Sequence, residues 1–301
     1  MALSSRTSVR ISTLAIFGVG LIGGSLALAL KQAGYVGKVI GVGRSRTNLE
    51  RALRVGAIDE IQSDPRQAVA EAEVIVLATP VHTIRQLLKT VSACMDETKI
   101  ITDVGSVKGG IVEAARHALG PCFTGFVPGH PIAGKEKSGI NAASAELFEN
   151  HRVVLTPVRE TSPEACRTIR RMWTATGGEV NVMGVEDHDR VLSLTSHLPH
   201  VLAYVMMDFL SISPDRQECY RMAAGGLYDF TRTASSDPEM WRDICLMNKP
   251  QLLEHIARYQ QHLDRLAGMI DQDNGNGIGE MYASAKQARS RITEKRKTPS
   301  G

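Results

Sequence analysis

The sequence has no excess of charge of either sign. Its 301 residues include 35 basic and 32 acidic side chains, which gives a formal net charge of +3. Because the two signs are nearly balanced, the chain has no overall positive electrostatic field of the kind that nucleic-acid and anionic-membrane binders use. We therefore expect neither a nucleic acid nor a membrane as a partner.

The sequence also lacks any spacing typical of paired cysteines. Its five cysteines are scattered, odd in number and free of CxxC, at Cys94, Cys122, Cys166, Cys219 and Cys245. This distribution argues against a disulfide framework and against a zinc site. We therefore expect reduced thiols, no metal and a cytoplasmic location.

An uninterrupted apolar run is missing as well. One long stretch without a charged residue, Leu14–Leu30, follows Arg6 and Arg10. A secretory signal or a short membrane span would also be an uncharged stretch preceded by basic residues. This stretch is broken by four glycines, at Gly18, Gly20, Gly23 and Gly24. Glycine weakens a membrane helix but suits a sharp turn from strand to helix, so we interpret this run as part of a globular domain.

Strand and helix patterns alternate over the first 184 residues. Ile11–Phe17 is a short apolar run rich in β-formers, and Leu21–Ala33 is a helical run that stops at Gly34. Further strands are expected at Lys38–Val42, Glu73–Ala78, Lys99–Thr102, Phe123–Val127, Arg152–Thr156 and Glu179–Met183. Helices are expected at Asn48–Val55, Val81–Ser92, Val107–Ala118 and Pro163–Thr176. The alternation predicts an α/β domain with a mostly parallel sheet.

From Val185 onward the pattern is helical, so we place a domain boundary near Gly184. The predicted all-α domain covers residues 185–294, and residues 295–301 are expected to form a disordered tail. A long helix should begin at Asp237–Pro238 and run toward Ile270, because this pair supplies an N-cap and a proline at the first helical position.

The long helix carries an apolar stripe with heptad-like spacing, at Leu252, Ile256, Tyr259, Leu263, Leu266 and Ile270. This stripe is equally typical of a helix face packed on its own core and of a helix seam between two subunits. The basic residues of Lys286–Lys297 are more typical of a solvated chain end than of a nucleic-acid contact.

The glycine-rich segment GVGLIGGS, Gly18–Ser25, lies directly between the first strand and the first helix. Gly18, Gly20 and Gly23 occupy the glycine positions of GxGxxG, the fingerprint of a dinucleotide-binding Rossmann domain. The first glycine allows a tight turn, the second a close approach of the pyrophosphate, and the third close packing of helix on strand. The helix start, with Leu21 and Ile22, would bind the phosphates through its free N–H groups.

The end of the second strand distinguishes NAD from NADP. An acidic residue here would bind the ribose hydroxyls of NAD. The sequence has Gly43 instead, followed by Arg44 and Ser45, which would donate hydrogen bonds to a 2′-phosphate. We therefore favour NADP, with NAD or dual use as the alternative. The other expected cofactor contacts are Thr79, Pro80 and Asp103.

Four later segments concentrate polar, reactive residues in predicted loops that contain glycine. They are DVGSVK at 103–108, GHPIAGKEKSG at 129–139, SHLPH at 196–200 and GGLYDFTRTASSDPEMW at 225–241. Together with GVGLIGGS, in this order and with a helical second half, they resemble the prephenate/arogenate dehydrogenase family of tyrosine biosynthesis. The resemblance covers residues 11–270.

The resemblance implies oxidation of prephenate or arogenate with NAD(P) and loss of CO₂, by a homodimer that associates through its helical domain. It implies that His130 accepts the proton of the ring hydroxyl and that Ser106 helps to place it. Arg232 would bind a substrate carboxylate by donating two parallel hydrogen bonds. The remaining substrate residues that it implies are His188, His197, His200, Asp229, Trp241 and Gly225.

His197 and His200 are three residues apart, which places both on one face of a helix and is also compatible with a metal site. No third ligand follows at a suitable spacing, so a polar lining of the substrate pocket is the preferred interpretation. Pro199 should kink or start this helix.

Two other functions fit part of the sequence. A β-hydroxyacid dehydrogenase or an imino-acid reductase would need a lysine base in the helical domain, for which Lys249 is the best-placed candidate. A non-catalytic NADP sensor would need neither His130 nor Arg232. No segment like a chorismate mutase precedes the Rossmann domain and none of regulatory size follows Ile270, so we expect one activity, with any inhibition by tyrosine acting at the active site.

Overall fold

The computed structural model describes residues 10–135 and 137–297. This part of the chain forms two compact units, which divide between Lys249 and Pro250. The predicted boundary near Gly184 lies inside the first unit, immediately before a helix, and stays a prediction.

The larger sheet of the first unit has six strands, all parallel. The strands are β1 (Ile11–Phe17), β2 (Val36–Val42), β3 (Glu60–Ile61), β4 (Val74–Leu77), β5 (Ile100–Asp103) and β6 (Phe126–Val127), in the spatial order β3-β2-β1-β4-β5-β6. The helices that connect them are α1 (Leu21–Gln32), α2 (Arg46–Arg54), α3 (Pro65–Glu71), α4 (Val81–Ser92) and α5 (Gly109–Leu119). This architecture confirms the predicted α/β class and its parallel Rossmann sheet.

The central strands are apolar because both of their faces are covered. All four residues of β4 have no exposed surface, as expected for a parallel strand with helices on both sides. The strand order reverses between β1 and β4, and ligands of such sheets bind outside the carboxyl ends of the strands at this switch point.

A second, three-stranded sheet follows, with α6 (Pro163–Ala175) in the same segment. It contains β7 (Gly129–Pro131), β8 (Arg152–Leu155) and β9 (Glu179–Val182), with β7 antiparallel to β8 and β8 parallel to β9. The prediction of a loop at Gly129–Pro131 is therefore wrong. Strand β7 is short and lies at the sheet edge, where Pro131 can stand because its missing N–H breaks no central ladder.

The first unit continues as helices α7 (Val185–Leu192), α8 (Leu198–Ile212), α9 (Arg216–Arg221), α10 (Gly225–Thr231) and α11 (Pro238–Met247). A five-residue π-helical turn, Ser193–His197, joins α7 to α8. Leu192, His197 and Leu198 all have helical backbone angles, so α7, this turn and α8 form one continuous helical run and no helix starts at Pro199. The other predicted outcome, a local distortion of the helix at this proline, fits the π-helical turn directly before it.

The prediction of one helix from Pro238 to Ile270 is wrong. Helix α11 ends at Met247, and α12 (Lys249–Asp271) begins two residues later. Asn248 between them has φ −104° and ψ 30°, which departs from helical geometry. Pro250 cannot donate to a preceding turn, so the chain restarts a helix here instead of extending the first one.

The second unit contains α12 from Pro250 onward and α13 (Gly275–Lys297). The tail predicted to be disordered overlaps the end of α13 at residues 295–297, and residues 298–301 lie outside the described part of the chain. Among the described residues, none of the helices combines the length and the apolar character that a membrane crossing requires.

Candidate active site

The predicted cofactor residues cluster where four neighbouring parallel strands end. In the register of the sheet, Phe17 of β1 pairs with Val42 of β2 and with Leu77 of β4, which pairs in turn with Asp103 of β5. The glycine turn follows β1, Arg44 and Ser45 follow β2, and Thr79 and Pro80 follow β4. The fold therefore brings these segments to one edge of the sheet, as the sequence predicts.

The glycine turn has the geometry that its three glycines require. Gly18 has φ +99°, and a Cβ there would lie 2.5 Å from the carbonyl oxygen of Ala78. A Cβ on Gly23 would lie 2.2 Å from the carbonyl oxygen of Gly18, so helix α1 packs directly on the turn. By contrast, a Cβ on Gly20 would meet nothing within 4 Å. Only the second glycine borders open space, which is where a pyrophosphate would lie.

Two further observations fit a bound dinucleotide. Helix α1 begins with Leu21 and Ile22, has no side-chain cap and has no acidic residue in its first turn, so its first N–H groups are available to an anion. The hydroxyl of Thr79 is buried beside the turn and makes no hydrogen bond within the described residues. Pro80 is the exposed N-cap of α4.

The segment after β2 presents Arg44 and Ser45 to solvent. Ser45 Oγ accepts a hydrogen bond from the Asn48 N–H at 3.3 Å and caps α2, which leaves its own hydroxyl proton available to a ligand. Arg46 pairs with Glu50 at 2.9 Å, whereas Arg44 has no carboxylate partner in the part of the chain that the structure describes. Asn48 also donates to the Val19 carbonyl at 2.7 Å, which ties this segment to the glycine turn.

The side chain of Asp103 does not face the cofactor segments, contrary to the prediction. It has no exposed surface and forms a buried ion pair with Lys108, which is equally inaccessible. Its oxygens also accept hydrogen bonds from the N–H groups of Gly105 at 2.8 Å and Gly129 at 3.2 Å. Lys108 Nζ further donates to the Gly129 carbonyl at 2.6 Å. The pair therefore holds β7, and with it His130, against the end of β5.

His130 lies in the middle of β7, opposite Val154, and its ring is partly exposed. Its Nδ1 is 2.9 Å from Nε2 of His188, and Nδ1 of His188 is 2.8 Å from Oδ1 of Asp189. His188 has no exposed surface, so it cannot contact substrate directly as the sequence implied. It supports the ring of His130 from behind.

Burial keeps His130 and His197 in their neutral forms at neutral pH. Burial lowers the pKa of His130 well below its usual range, and the nearby His188, Lys108 and His197 lower it further. Burial likewise lowers the pKa of His197 to about 4, although the carboxylate of Asp189 opposes this shift. A neutral imidazole has one nitrogen lone pair available, so His130 can act as a proton acceptor at neutral pH.

His197 and His200 have different environments. His197 is buried, with Nδ1 3.1 Å from Nδ2 of Asn248, and its ring also interacts with the backbone of Ser106, which raises its pKa against the effect of burial. His200 stacks on Trp241, with 3.6 Å between ring centroids, and its Nδ1 is 2.9 Å from the Ser196 carbonyl oxygen. Trp241 is buried against Val107, so α11 packs on the segment between β5 and α5.

Three predicted substrate residues are exposed on the helical part of the first unit. Gly225 begins α10, Asp229 lies within it, and Arg232 follows its last residue. Burial lowers the pKa of His200, the hydrogen bond to the Ser196 backbone opposes this shift, and the charge of Arg232 adds to it. Ser106 is partly exposed in the turn between β5 and α5. Lys249, the lysine considered for a different dehydrogenase, is exposed.

Sequence reasoning missed three polar residues of the site, all buried: Lys108, Asp189 and Asn248. Asn248 donates to the main-chain oxygen of Asp189 at 2.8 Å as well as contacting His197. Asp189 directly follows His188 in the sequence, and this pairing of an acidic residue with a histidine was the signal that could have identified Asp189 as a partner of the site. The fold and this site place the protein in the class of nicotinamide-dependent oxidoreductases.

Comparison with known proteins identifies the family within that class. The family model described as prephenate dehydrogenase, nucleotide-binding domain, matches residues 26–182. The model described as prephenate dehydrogenase, dimerization domain, matches residues 184–284. The prephenate dehydrogenase of Bacillus subtilis is 36% identical over 279 residues, which are 92% of this chain and 75% of that protein. The cyclohexadienyl dehydrogenase of Zymomonas mobilis is 36% identical over 278 residues, 92% of this chain and 94% of that protein.

Solved structures agree with the sequence relatives. The A. aeolicus prephenate dehydrogenase, in complex with hydroxyphenyl propionate and NAD+, superposes with a TM-score of 0.89 at 35% identity, covering 95% of this chain and 100% of that one. The Synechocystis arogenate dehydrogenase superposes with a TM-score of 0.80 at 30% identity, covering 93% and 99% of the two chains. The chain belongs to the prephenate dehydrogenase family, so the resemblance carried by its motifs is confirmed.

Proposed function

We propose that this enzyme oxidises prephenate, arogenate or both, with loss of CO₂, in tyrosine biosynthesis. The observation that carries the proposal is His130, a partly exposed histidine whose Nδ1 is held by the buried His188 and whose low pKa keeps it unprotonated. Relatives that align with more than 90% of this chain are named as prephenate, cyclohexadienyl and arogenate dehydrogenases. These names support the choice of a cyclohexadienyl substrate.

The chemistry of these substrates explains why a histidine base is needed. The hydride leaves the ring carbon that bears the hydroxyl, and that carbon gains carbonyl character as it departs. His130 accepts the hydroxyl proton and relieves the developing positive charge. The bond to the ring carboxylate then breaks, its electron pair restores the aromatic ring, CO₂ leaves and the proton returns to the phenol oxygen. NAD(P)+ supplies the hydride acceptor when bound.

Arg232 would bind a substrate carboxylate, and His130 would accept the proton. His130→Ala should lower kcat by about 10²- to 10⁴-fold, the usual contribution of general base catalysis, with little change in KM. Arg232→Ala should mainly raise KM, by about 10- to 100-fold, because a charged hydrogen-bond pair is lost. Arg221→Ala is the matched control, since Arg221 is an exposed arginine paired with Glu218 on α9. Equal effects of the first two substitutions on kcat and KM would contradict these roles.

Of the two nicotinamide cofactors, we propose that NADP is accepted at least as well as NAD. Arg44 and Ser45 follow β2 without a neighbouring acidic residue to repel a 2′-phosphate. Arg44→Ala should raise KM for NADP+ about tenfold, the value of one charge-assisted hydrogen bond, and leave KM for NAD+ nearly unchanged. Arg46→Ala, which removes a neighbouring arginine already paired with Glu50, should change neither constant. An equal loss for both cofactors in Arg44→Ala would contradict the assignment.

We further propose that residues 1–184 and 185–294 act as the nucleotide-binding and the substrate and dimerisation domains. The proposed homodimer is supported by the exposed apolar side chains Tyr259, Leu263 and Ile270 on one stripe of α12. All five cysteines are unpaired, which suits the cytoplasmic location expected from the sequence.

A further inference from the structure

Behind His130 lies a row of three hydrogen-bonded side chains that the proposed reaction does not yet use. His130 Nδ1 meets His188 Nε2 at 2.9 Å, and His188 Nδ1 meets Asp189 Oδ1 at 2.8 Å. His188 has no exposed surface and Asp189 is 8% exposed, so water does not compete for these contacts. Which nitrogen of His130 carries the proton is therefore decided by its neighbours.

Both carboxylate oxygens of Asp189 accept hydrogen bonds. Its Oδ1 also accepts from the N–H of Lys108 and its Oδ2 from the N–H of Gly109, each at 2.8 Å, at the start of α5. Burial alone would raise the pKa of Asp189, but the hydrogen bonds from His188, Lys108 and Gly109 outweigh it and lower the pKa. The group is thus an ionised carboxylate, which has no proton to give.

The ionised carboxylate of Asp189 determines which nitrogens of His188 and His130 carry protons. A carboxylate can only accept, so Nδ1 of His188 carries a proton and donates it to Asp189. If this is the only proton on the His188 ring, its Nε2 carries a lone pair, which accepts a hydrogen bond from Nδ1 of His130 at 2.9 Å. That leaves the lone pair of His130 on Nε2, which makes no hydrogen bond within the described residues.

We propose that His188 and Asp189 are positioning residues that hold His130 in its Nδ1–H tautomer, so that Nε2 is the atom that takes the substrate proton. The role of Nε2 as the catalytic base rests on the proposed function. The tautomer of His130 does not, because it is set by His188 and Asp189 and not by the substrate. Reversing any step of the row would place a proton on Nε2 of His130 and remove the base.

The direct test is ¹⁵N NMR of the ligand-free, full-length protein labelled at histidine, because the nitrogen chemical shifts report which ring nitrogen is protonated. The two signal sets are assigned by their loss in His130→Gln and His188→Gln. We expect both rings to be protonated on Nδ1 and unprotonated on Nε2. A proton on Nε2 of His130, a proton shared between its two nitrogens, or a doubly protonated His188 would overturn the proposal.

Kinetics of Asp189→Asn provide the second readout. The amide cannot accept in all the directions of the carboxylate, so kcat should fall by about 10²- to 10⁴-fold with KM little changed, because Asp189 touches no substrate. Asp64→Asn is the matched control, since Asp64 caps α3 by accepting from the Arg66 N–H at 2.9 Å, and it should keep the original kcat. An unchanged kcat in Asp189→Asn, or parallel changes in kcat and KM, would overturn the proposal. Failure of the proposed function would instead appear as absent turnover in the unsubstituted protein.

Discussion

At the residue scale, the site depends on polar groups taken out of water and fully paired. Asp103 and Lys108 are both inaccessible, and neither would be tolerated there without the other. The motifs DVGSVK and GHP are therefore partly structural: their buried pair attaches β7 to the end of β5 and sets the position of His130. The motif identified the right segment, but it could not show which of its polar side chains face inward.

Burial of His197 makes stability depend on pH. Its pKa is about 4 in the folded protein and near 6.5 when unfolded. Between these values the unfolded state binds more protons, so stability is complete above about pH 6.5 and falls as the pH drops toward 4, by up to about 3 kcal/mol. Urea unfolding at several pH values should show this slope, and His197→Gln should reduce it. An unchanged slope in His197→Gln would contradict the assignment.

At the element scale, the parallel sheet was predictable because buried strands are short apolar runs and the glycine turn marks the first crossover. Strand β7 was not, because three residues with glycine and proline have no strand pattern, and their pairing depends on β8, more than twenty residues later. Helix α3 had a usable signal in Asp64 followed by Pro65, an N-cap and first-turn proline. The break at Asn248 had a local signal in Pro250, which the heptad-like stripe outweighed in the prediction. The contacts of Asn248 with His197 and Asp189 are tertiary, so no local pattern contains them.

The glycine turn predicts two different outcomes for the same substitution. Gly23→Ala should destabilise the fold by several kcal/mol, because its Cβ would lie 2.2 Å from a backbone oxygen, in a turn that cannot yield easily. Gly20→Ala should leave stability nearly unchanged, since nothing lies within 4 Å of its Cβ, but should weaken NAD(P)+ binding strongly. Thermal unfolding and cofactor titration separate the two effects. Unimpaired cofactor binding by Gly20→Ala would show that the pyrophosphate lies elsewhere.

At the scale of the whole molecule, the apolar stripe of α12 is the feature that the sequence could not resolve. Tyr259, Leu263 and Ile270 of the second unit are 37%, 50% and 58% exposed. The stripe begins near the start of α12 and lies within the segment matched by the dimerization-domain model. The dimer seam is the interpretation that these exposures favour.

The proposed dimer gives a specific prediction about two exposed leucines. Leu263→Glu should convert the protein to a monomer at micromolar concentration, because it places a charge in the seam. Leu53→Glu, on α2 and similarly exposed at 43%, should remain dimeric. Light scattering of the two variants and the unsubstituted protein decides the matter. A monomeric unsubstituted protein would refute the proposed assembly.

The central claim is that this chain couples hydride transfer to decarboxylation of a cyclohexadienyl substrate. The most direct measurement incubates the purified protein with prephenate or arogenate and with NAD+ or NADP+, and follows the reduced nicotinamide and the released CO₂ together. The account predicts one CO₂ for each nicotinamide reduced with at least one of the four combinations, and loss of both products in His130→Ala. If no combination reduces the nicotinamide, or if reduction occurs without CO₂, the proposed function is wrong.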